Sequence, residues 1–177
     1  MAFWSTNDVE PKRNFRFQVE VTALSGQSVL WWAKTVSTPS FDLTEVEHNH
    51  LDNKYYFPGR ITWNDVTLTL VDPISIDAVA LTNKIITDSN YIVPLTPPTT
   101  APARTTISKK KAVNAVKDVV ISILNASGAV IEKWTLNNPF IKAAKYGDLD
   151  YSNDELRTVE LTLRYDWATC NVSGNAS

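Results

Sequence analysis

The hydrophobic and polar positions of this chain alternate strictly in several places. In "NFRFQVEVTAL", Phe15, Phe17, Val19, Val21 and Ala23 fall on one side and Arg16, Gln18, Glu20 and Thr22 on the other. Period two predicts a strand with one buried and one wet face. Ser25-Gly26-Gln27 supplies a turn, and "SVLWWAKTVS" predicts a returning strand, so an antiparallel hairpin is expected here. "WNDVTLTLVD" alternates again, with Val66, Leu68 and Leu70 against Asp65, Thr67 and Thr69. "DVVISILNASGAVIEKWTL" predicts a second hairpin turning at Asn125 to Gly128. In "ELRTVELTLRYDW", Val159, Leu161, Leu163, Tyr165 and Trp167 alternate with Thr158, Glu160, Thr162, Arg164 and Asp166.

Helical spacing is rarer. In "DPISIDAVALTNKIITDS", Ile74, Ala78, Leu81 and Ile85 make one apolar stripe. Asp72 is the expected cap and Pro73 the first helical residue, where a missing N–H costs nothing. Asp77 early and Lys84 late suit the helix dipole. A short helix is expected around Ser108 to Val116. Three stretches show no period: Thr38 to Arg60, the Pro-rich "NYIVPLTPPTTAPARTT", and "NNPFIKAAKYGDLDYSND", which reads as connecting chain. The Pro-rich stretch is long for a loop within a domain and fits a segment held by a neighbouring subunit. The expected fold is mainly β (α+β), an antiparallel sandwich or barrel-like sheet with one flanking helix. It forms a single domain over residues 1–177, with an N-terminal arm at 1–12, an extended loop at 38–60, a Pro/Thr-rich loop at 89–106 and a tail at 169–177.

Charge and composition narrow the function. The 177 residues are 44% hydrophobic and carry 17 basic against 19 acidic groups, for a net charge of −2. Phosphate neutralisation needs clustered Lys and Arg, so this is not the balance of a nucleic-acid binder. The lone run, Lys109-Lys110-Lys111, reads as a solvated face. Cys170 is the single cysteine, which leaves no internal disulfide framework. "MAFWSTNDVEPKR" lacks the order of a signal peptide, and no apolar run approaches the ~20 residues of a spanning helix. The chain is therefore expected to stay in a reducing cytoplasm. The sequons at Asn125 and Asn171 read as chance matches.

Catalytic and metal chemistry find little support. His48, His50 and Asp52 would share a strand face, but no third histidine exists and Cys170 is distant. Neither a phosphate loop nor a nucleophile elbow nor a zinc-binding histidine pair of the H-E-x-x-H type is present. No enzyme, cofactor or metal is expected. Two other features remain. The wet strand faces are built from Thr, Gln and single charges, a pattern that suits a hydrated sheet and would also suit the wall of a water-filled passage. Trp31, Trp32, Tyr55, Tyr56, Phe57 and Trp63 crowd one region, as core residues or as contact anchors.

The ordered set of elements resembles the tail tube proteins of contractile-tailed, T-even-type bacteriophages. The likeness covers roughly residues 13 to 168. It is carried by the first strand pair, "FPGRITWNDVTLTL", the helix after "VDP", and "LDYSNDELRTVELTLRYDW". Asn138-Pro139-Phe140 stands where the family has an aromatic-Pro or Trp-Pro step, and Leu149-Asp150-Tyr151 with Asn153-Asp154 where it has an acidic step before the last strand. The stretch from Pro94 to Arg104 departs from the family pattern.

This resemblance implies hexameric rings that stack into a tube inside a contractile sheath, the strands of six subunits joining in one continuous β-barrel. It implies an inter-ring stacking loop within Asp42 to Gly59, with Glu45, Glu47, His48, His50, Asp52, Lys54, Tyr55 and Tyr56 as contact residues. It implies a lumen lined by Arg16, Gln18, Glu20, Thr22, Thr158, Glu160, Thr162, Arg164 and Asp166, hydroxyl-rich and mildly acidic. Arg16 and Arg164 must then pair with neighbouring acids. The implied partners are further copies of the chain, a tail sheath protein, baseplate and tail-terminator proteins and a tape measure protein in the lumen. Genomic DNA would pass without being specifically bound, and no membrane is involved. The implied location is the virion tail, assembled in the host bacterial cytoplasm. Rival readings are an inner tube of a type VI secretion system or an extracellular contractile injection particle, a tube-initiating baseplate protein, and a monomeric carbohydrate-binding β-domain using Trp31, Trp32 and Tyr55.

Overall fold

A computed structural model of the chain describes residues 11–22, 33–74, 77–92, 106–152 and 154–172. Among these residues, ten strands and two helices follow one another as β1 (Phe17–Val21), β2 (Ala33–Val36), β3 (Phe41–His50), β4 (Asn53–Trp63), β5 (Val66–Val71), α1 (Ala78–Asp88), α2 (Lys109–Val116), β6 (Val119–Leu124), β7 (Val130–Asn137), β8 (Phe140–Tyr146), β9 (Thr158–Arg164) and β10 (Trp167–Val172). They form two four-stranded sheets, one ordered β1-β6-β7-β10 and the other β2-β5-β9-β8, plus a separate β3-β4 hairpin. Every pairing is antiparallel.

The alternating strands dictate the core. Val19, Val21, Val119, Ile121 and Leu136 point inward from the β1 sheet, and Val66, Leu68, Leu70, Val159, Leu161 and Leu163 from the β2 sheet. Val66 and Val159 are fully buried, and each such side chain contributes ~1.5–3 kcal/mol. Helix α1 packs Ala78 and Ile85 into this core, and α2 adds Val116. The two helices pack by the β8 side of the β2 sheet, lining a small internal gap with Leu68, Leu161 and Ile141 and with Val21 of the opposite sheet.

Several expectations hold. The strands around β1, β5 and β9, the β6–β7 hairpin turning at Asn125, and the helix Lys109–Val116 capped by Ser108 are all present. Others do not. β1 and β2 are not a hairpin: β1 pairs with β6 and β2 with β5, so the chain crosses from one sheet to the other between them. Phe15 lies before β1 and is exposed, while Phe17 is half-buried. The stretch Thr38 to Arg60 is not irregular but holds β3 and most of β4. "FIKAAKY", read as connecting chain, is the edge strand β8. Trp167 is exposed and opens a new strand, β10, that runs through much of the expected tail.

Helix α1 starts at Ala78, five residues after the expected Pro73. Asp77 is its N-cap, accepting from the Val79 and Ala80 amides at 2.8 and 3.0 Å. Asp72 still contributes, accepting from the Ala78 amide at 2.9 Å, but Ile74 stands outside the helix in solvent. The Ser25-Gly26-Gln27 turn, Trp31, Trp32, and residues 93–105 of the Pro-rich stretch lie outside the described residues.

The β3–β4 hairpin prolongs the β2–β5 pair. Ser37 donates its amide to the Thr67 carbonyl at 2.9 Å and Asn64 donates to Ser40 at 2.9 Å, which carries the ladder across the junction. A polar clamp fixes this root. Arg164 Nη1 donates to the Trp63 carbonyl at 2.8 Å and to Asp65 Oδ1 at 2.9 Å, and Lys142 Nζ reaches Asp65 Oδ2 at 2.6 Å. Asn64 Nδ2 donates to Asp42 Oδ2 at 3.0 Å. Above the clamp, Phe41 meets Trp63 edge-on at 5.3 Å, and Trp63 meets Tyr165 at 6.0 Å. The root is thus tied to strands β8 and β9.

Two predictions follow from this junction. Tyr165 is buried, and its hydroxyl meets no hydrogen-bond partner among the described residues; burial pushes its phenol above the ordinary range. Tyr165→Phe removes an unpaired polar group at no packing cost, so thermal unfolding should show a Tm equal to or above that of the wild type. Asp65 behaves oppositely: hydrogen bonds from Lys142 and then Arg164 hold its carboxyl below the usual range. Asp65→Asn should cost about 1–2 kcal/mol at neutral pH. A lowered native pKa means that this advantage is complete above the ordinary carboxylate value of about 3.9 and fades as pH falls through the native one. Urea titrations of both proteins should therefore differ at pH 7 and converge in acid.

Candidate functional site: an exposed arm and two polar sheet faces

All ten residues of β3 and ten of the eleven in β4 are exposed. Eleven residues at ~3.3 Å each make an arm roughly 35 Å long. Its register fixes its two faces. Phe41↔Trp63, Leu43↔Ile61, Glu45↔Pro58, Glu47↔Tyr56 and Asn49↔Lys54 share one face; Val46↔Phe57, His48↔Tyr55 and His50↔Asn53 share the other. Large apolar side chains therefore project on both sides. Val46 is 61% exposed and Phe57 56% on one face, with Tyr56 57% on the other. An isolated two-stranded hairpin is marginal in water, and among the described residues nothing covers the faces of this one beyond its root.

One irregularity shapes the arm. The register shifts between Leu43 and Glu45, where two residues of β4 face Thr44. Thr44 Oγ1 accepts from the Arg60 amide at 2.8 Å. A Cβ at Gly59 would stand 2.3 Å from that oxygen and 2.9 Å from the Thr44 carbonyl, so only glycine fits. Pro58 beside it has no amide to offer the ladder, which is tolerable because the arm is all edge. The turn is Leu51-Asp52, with Leu51 at φ 54° and almost fully exposed.

Every expected stacking residue lies on the outer half of this arm. Glu45, Glu47, His48, His50, Asp52, Lys54, Tyr55 and Tyr56 are all exposed, and Lys54 pairs with Glu47 at 3.0 Å. His48 and His50 share a face, yet no group of three metal-ligating side chains forms among the described residues.

The expected lumen residues are not brought together. They divide among three places. Gln18 and Glu20 sit on the outer face of the β1 sheet, their side chains bonded at 3.2 Å, and Thr22 follows the strand end. Arg16 precedes β1 with its guanidinium 5.5 Å above the Phe15 ring. Thr158, Glu160, Thr162 and Arg164 sit on the outer face of the β2 sheet. Asp166 lies between β9 and β10, tied to Lys109 Nζ at 2.7 Å and Asn138 Nδ2 at 2.9 Å, contacts that hold its carboxyl low. Period two separates in from out but does not say which of two sheets a strand joins.

The outer face of the β2 sheet is the richer in hydroxyls. Thr35↔Thr69, Thr69↔Glu160 and Thr67↔Thr162 align across it, with Thr158 at one end. Its charges pair within the chain: Glu160 meets Lys145 at 3.1 Å, and Arg164 and Lys142 share Asp65. The clamp residues Asp65 and Lys142 escaped the sequence reading, because their pairing joins positions 77 residues apart. The Pro-Gly step was the visible trace of the bulge. No described helix is long and apolar enough to cross a membrane.

The comparisons with known proteins agree with this geometry. No curated protein matches the chain. Among solved structures, the chain is similar to a protein in the anti-feeding prophage tube-terminating cap, with a TM-score of 0.64 at 19% identity over 98% of this chain and 100% of the other. It is similar to one in the sheath/tube terminator of the extracellular contractile injection system PVC, with a TM-score of 0.65 at 19% identity over 93% and 99%. A protein of the sheath-tube complex of the same system gives a TM-score of 0.62 at 20% identity over 92% and 93%. At these identities the likeness establishes a shared fold. A family model for the T4-like virus tail tube protein gp19 matches residues 13–169, nearly the whole chain. The chain belongs to the T4-like virus tail tube protein family.

Proposed function

We propose that the chain is the structural subunit of the inner tube of a contractile phage tail, with six copies closing into a ring and the rings stacking into the conduit for genome delivery. One observation carries this reading: an arm with apolar groups on both faces is built onto a clamped root and finds no cover among the described residues. The number six rests on the family resemblance. Ring closure is compatible with the topology. Four antiparallel strands alternate in direction, so β8 of one copy meets β2 of the next antiparallel, and a closed barrel removes exposed edges.

The outer face of the β2 sheet suits the channel. Its threonines hydrate well, and its charges are few and paired within the chain, Lys145 with Glu160 and both Lys142 and Arg164 with Asp65, so the surplus of one cation offers little to hold a polyanion by counterion release. The helices then lie on the other surface of that sheet, away from the channel, covering its apolar side. Sheath, baseplate and terminator proteins are the partners this assembly requires, with a tape measure protein in the lumen beforehand, and the virion tail is its place. The similar folds in injection-particle tubes favour one alternative, the same tube built for a protein cargo. Nuclease-resistant DNA in purified particles separates the two, and a monomeric sugar-binding module would never polymerise.

Concentrated wild-type protein is expected to form rings or tubes by negative-stain microscopy. Replacing Glu45 to Pro58 by a short turn should leave the circular dichroism of the sandwich intact and abolish stacking. A stable monomer at every concentration would contradict the proposal. The channel assignment has its own test in a Cys170→Ser background. Cysteine at Thr69 should react with a small maleimide in assembled tubes and resist a bulky polymer-linked one, whereas cysteine at Glu20 should accept both. The reverse pattern would place the β1 sheet inside.

A further inference from the structure

We propose that the groove between the β1 and β2 edges is the socket for the arm of a second copy of this chain. The proposal rests on the tube-subunit reading and names the surface on which that arm lands. The groove encloses about 1000 Å³, with β6 side chains at its floor and two stretches as its walls, residues 12–17 and 33–38 with Ser40. Among the described residues, its lining carries Lys12, Arg13, Arg16 and Lys34 and no acidic side chain. Lys12 also pairs with Glu132 of β7, while Arg13 and Lys34 stand exposed on the rim. Phe15, 75% exposed, adds an aromatic surface.

The outer half of the arm is the complement. Glu45, Glu47 and Asp52 outnumber Lys54 there, with Tyr56 beside the two glutamates on one face and Val46, Tyr55 and Phe57 on the other. An acidic, aromatic ribbon thus faces a basic, aromatic trough. Such complementarity sets register and partner choice.

The occupant has to be another molecule. The groove wall ends at Ser40, and β3 begins at the next residue. The arm therefore starts at the end of its own groove, and the clamp at Trp63 and Asp65 holds its root to β9. A copy displaced along the arm presents its groove where the arm arrives. This contact is head-to-tail: arm and groove are different surfaces, so repetition yields an open stack and not a closed pair.

Charge exchange tests it. Arg13→Glu with Lys34→Glu should raise the concentration needed for tube formation, read by light scattering, by roughly tenfold or more. Glu45→Lys with Glu47→Lys should do the same, and the protein carrying all four changes should recover. Tubes from the groove variant at the wild-type concentration would overturn the socket while leaving the tube reading intact. Loss in both variants without recovery would also overturn it. If the wild-type chain makes no tube, both readings fall. A covalent check avoids charge altogether: Arg13→Cys with Tyr56→Cys, in the Cys170→Ser background, should give a ladder of inter-chain disulfides on oxidation of tubes. Monomers alone on the non-reducing gel would count against the socket.

Discussion

The β3–β4 hairpin stands out from the sandwich with both faces exposed and no cover among the described residues, and this governs the rest of the structure. Two strands have only two faces, and here both bear aromatic or branched side chains more than half exposed. A third strand or a packed helix would ordinarily complete such a ribbon. The sandwich spends its inward faces on its own core and has none to spare. What it supplies is stiffness at the root, through the Arg164–Asp65–Lys142 clamp and the Phe41–Trp63–Tyr165 ring contacts. Stiffness there lowers the ordering cost of docking, because the arm is already aimed before it meets a partner.

Local period was a good guide wherever a strand had one dry and one wet face. β5 and β9 read off directly because Val66, Leu68, Leu70 and Val159, Leu161, Leu163 alternate with threonines and charges, and they neighbour each other in the sheet. The arm was illegible for the same reason. It has no dry face, so Glu47 and Tyr56 can share a side and the alternation carries no signal. β8 was hidden because Ala143 and Ala144 blur the pattern and an edge strand buries little. The β1–β2 hairpin failed for a topological reason. A turn signal at Ser25-Gly26 says that the chain reverses, but a reversal joins two sheets of a sandwich as readily as two strands of one.

That same ambiguity dispersed the expected channel residues. Gln18, Glu20, Thr158 and Glu160 all occupy wet positions of regular strands, and periodicity placed them together. The fold assigns them to separate sheets, and the register then distinguishes the two. Thr35, Thr67, Thr69 and Thr162 gather on the β2 sheet with their charged neighbours paired. The sequence-level requirement that Arg164 find an acid was sound, and Asp65 meets it. The acid came from a strand junction 99 residues away, beyond the reach of any local rule.

A chain that polymerises as proposed must also survive as a monomer, and the arm has features that suit both needs. Long apolar edges invite indiscriminate pairing. Here charge interrupts the apolar run: Glu45 and Glu47 on β3 and Lys54 on β4 flank Tyr56, and Pro58 removes an edge donor. The bulge at Thr44 and Gly59 adds local twist, which spoils the flat template that a stray strand would need. These features weaken every contact except one that offers cations to the carboxylates and apolar surface to the rings at the same time. The proposed trough on an identical copy meets both conditions, and under that proposal the restraint on misassociation and the specificity of stacking have the same physical origin.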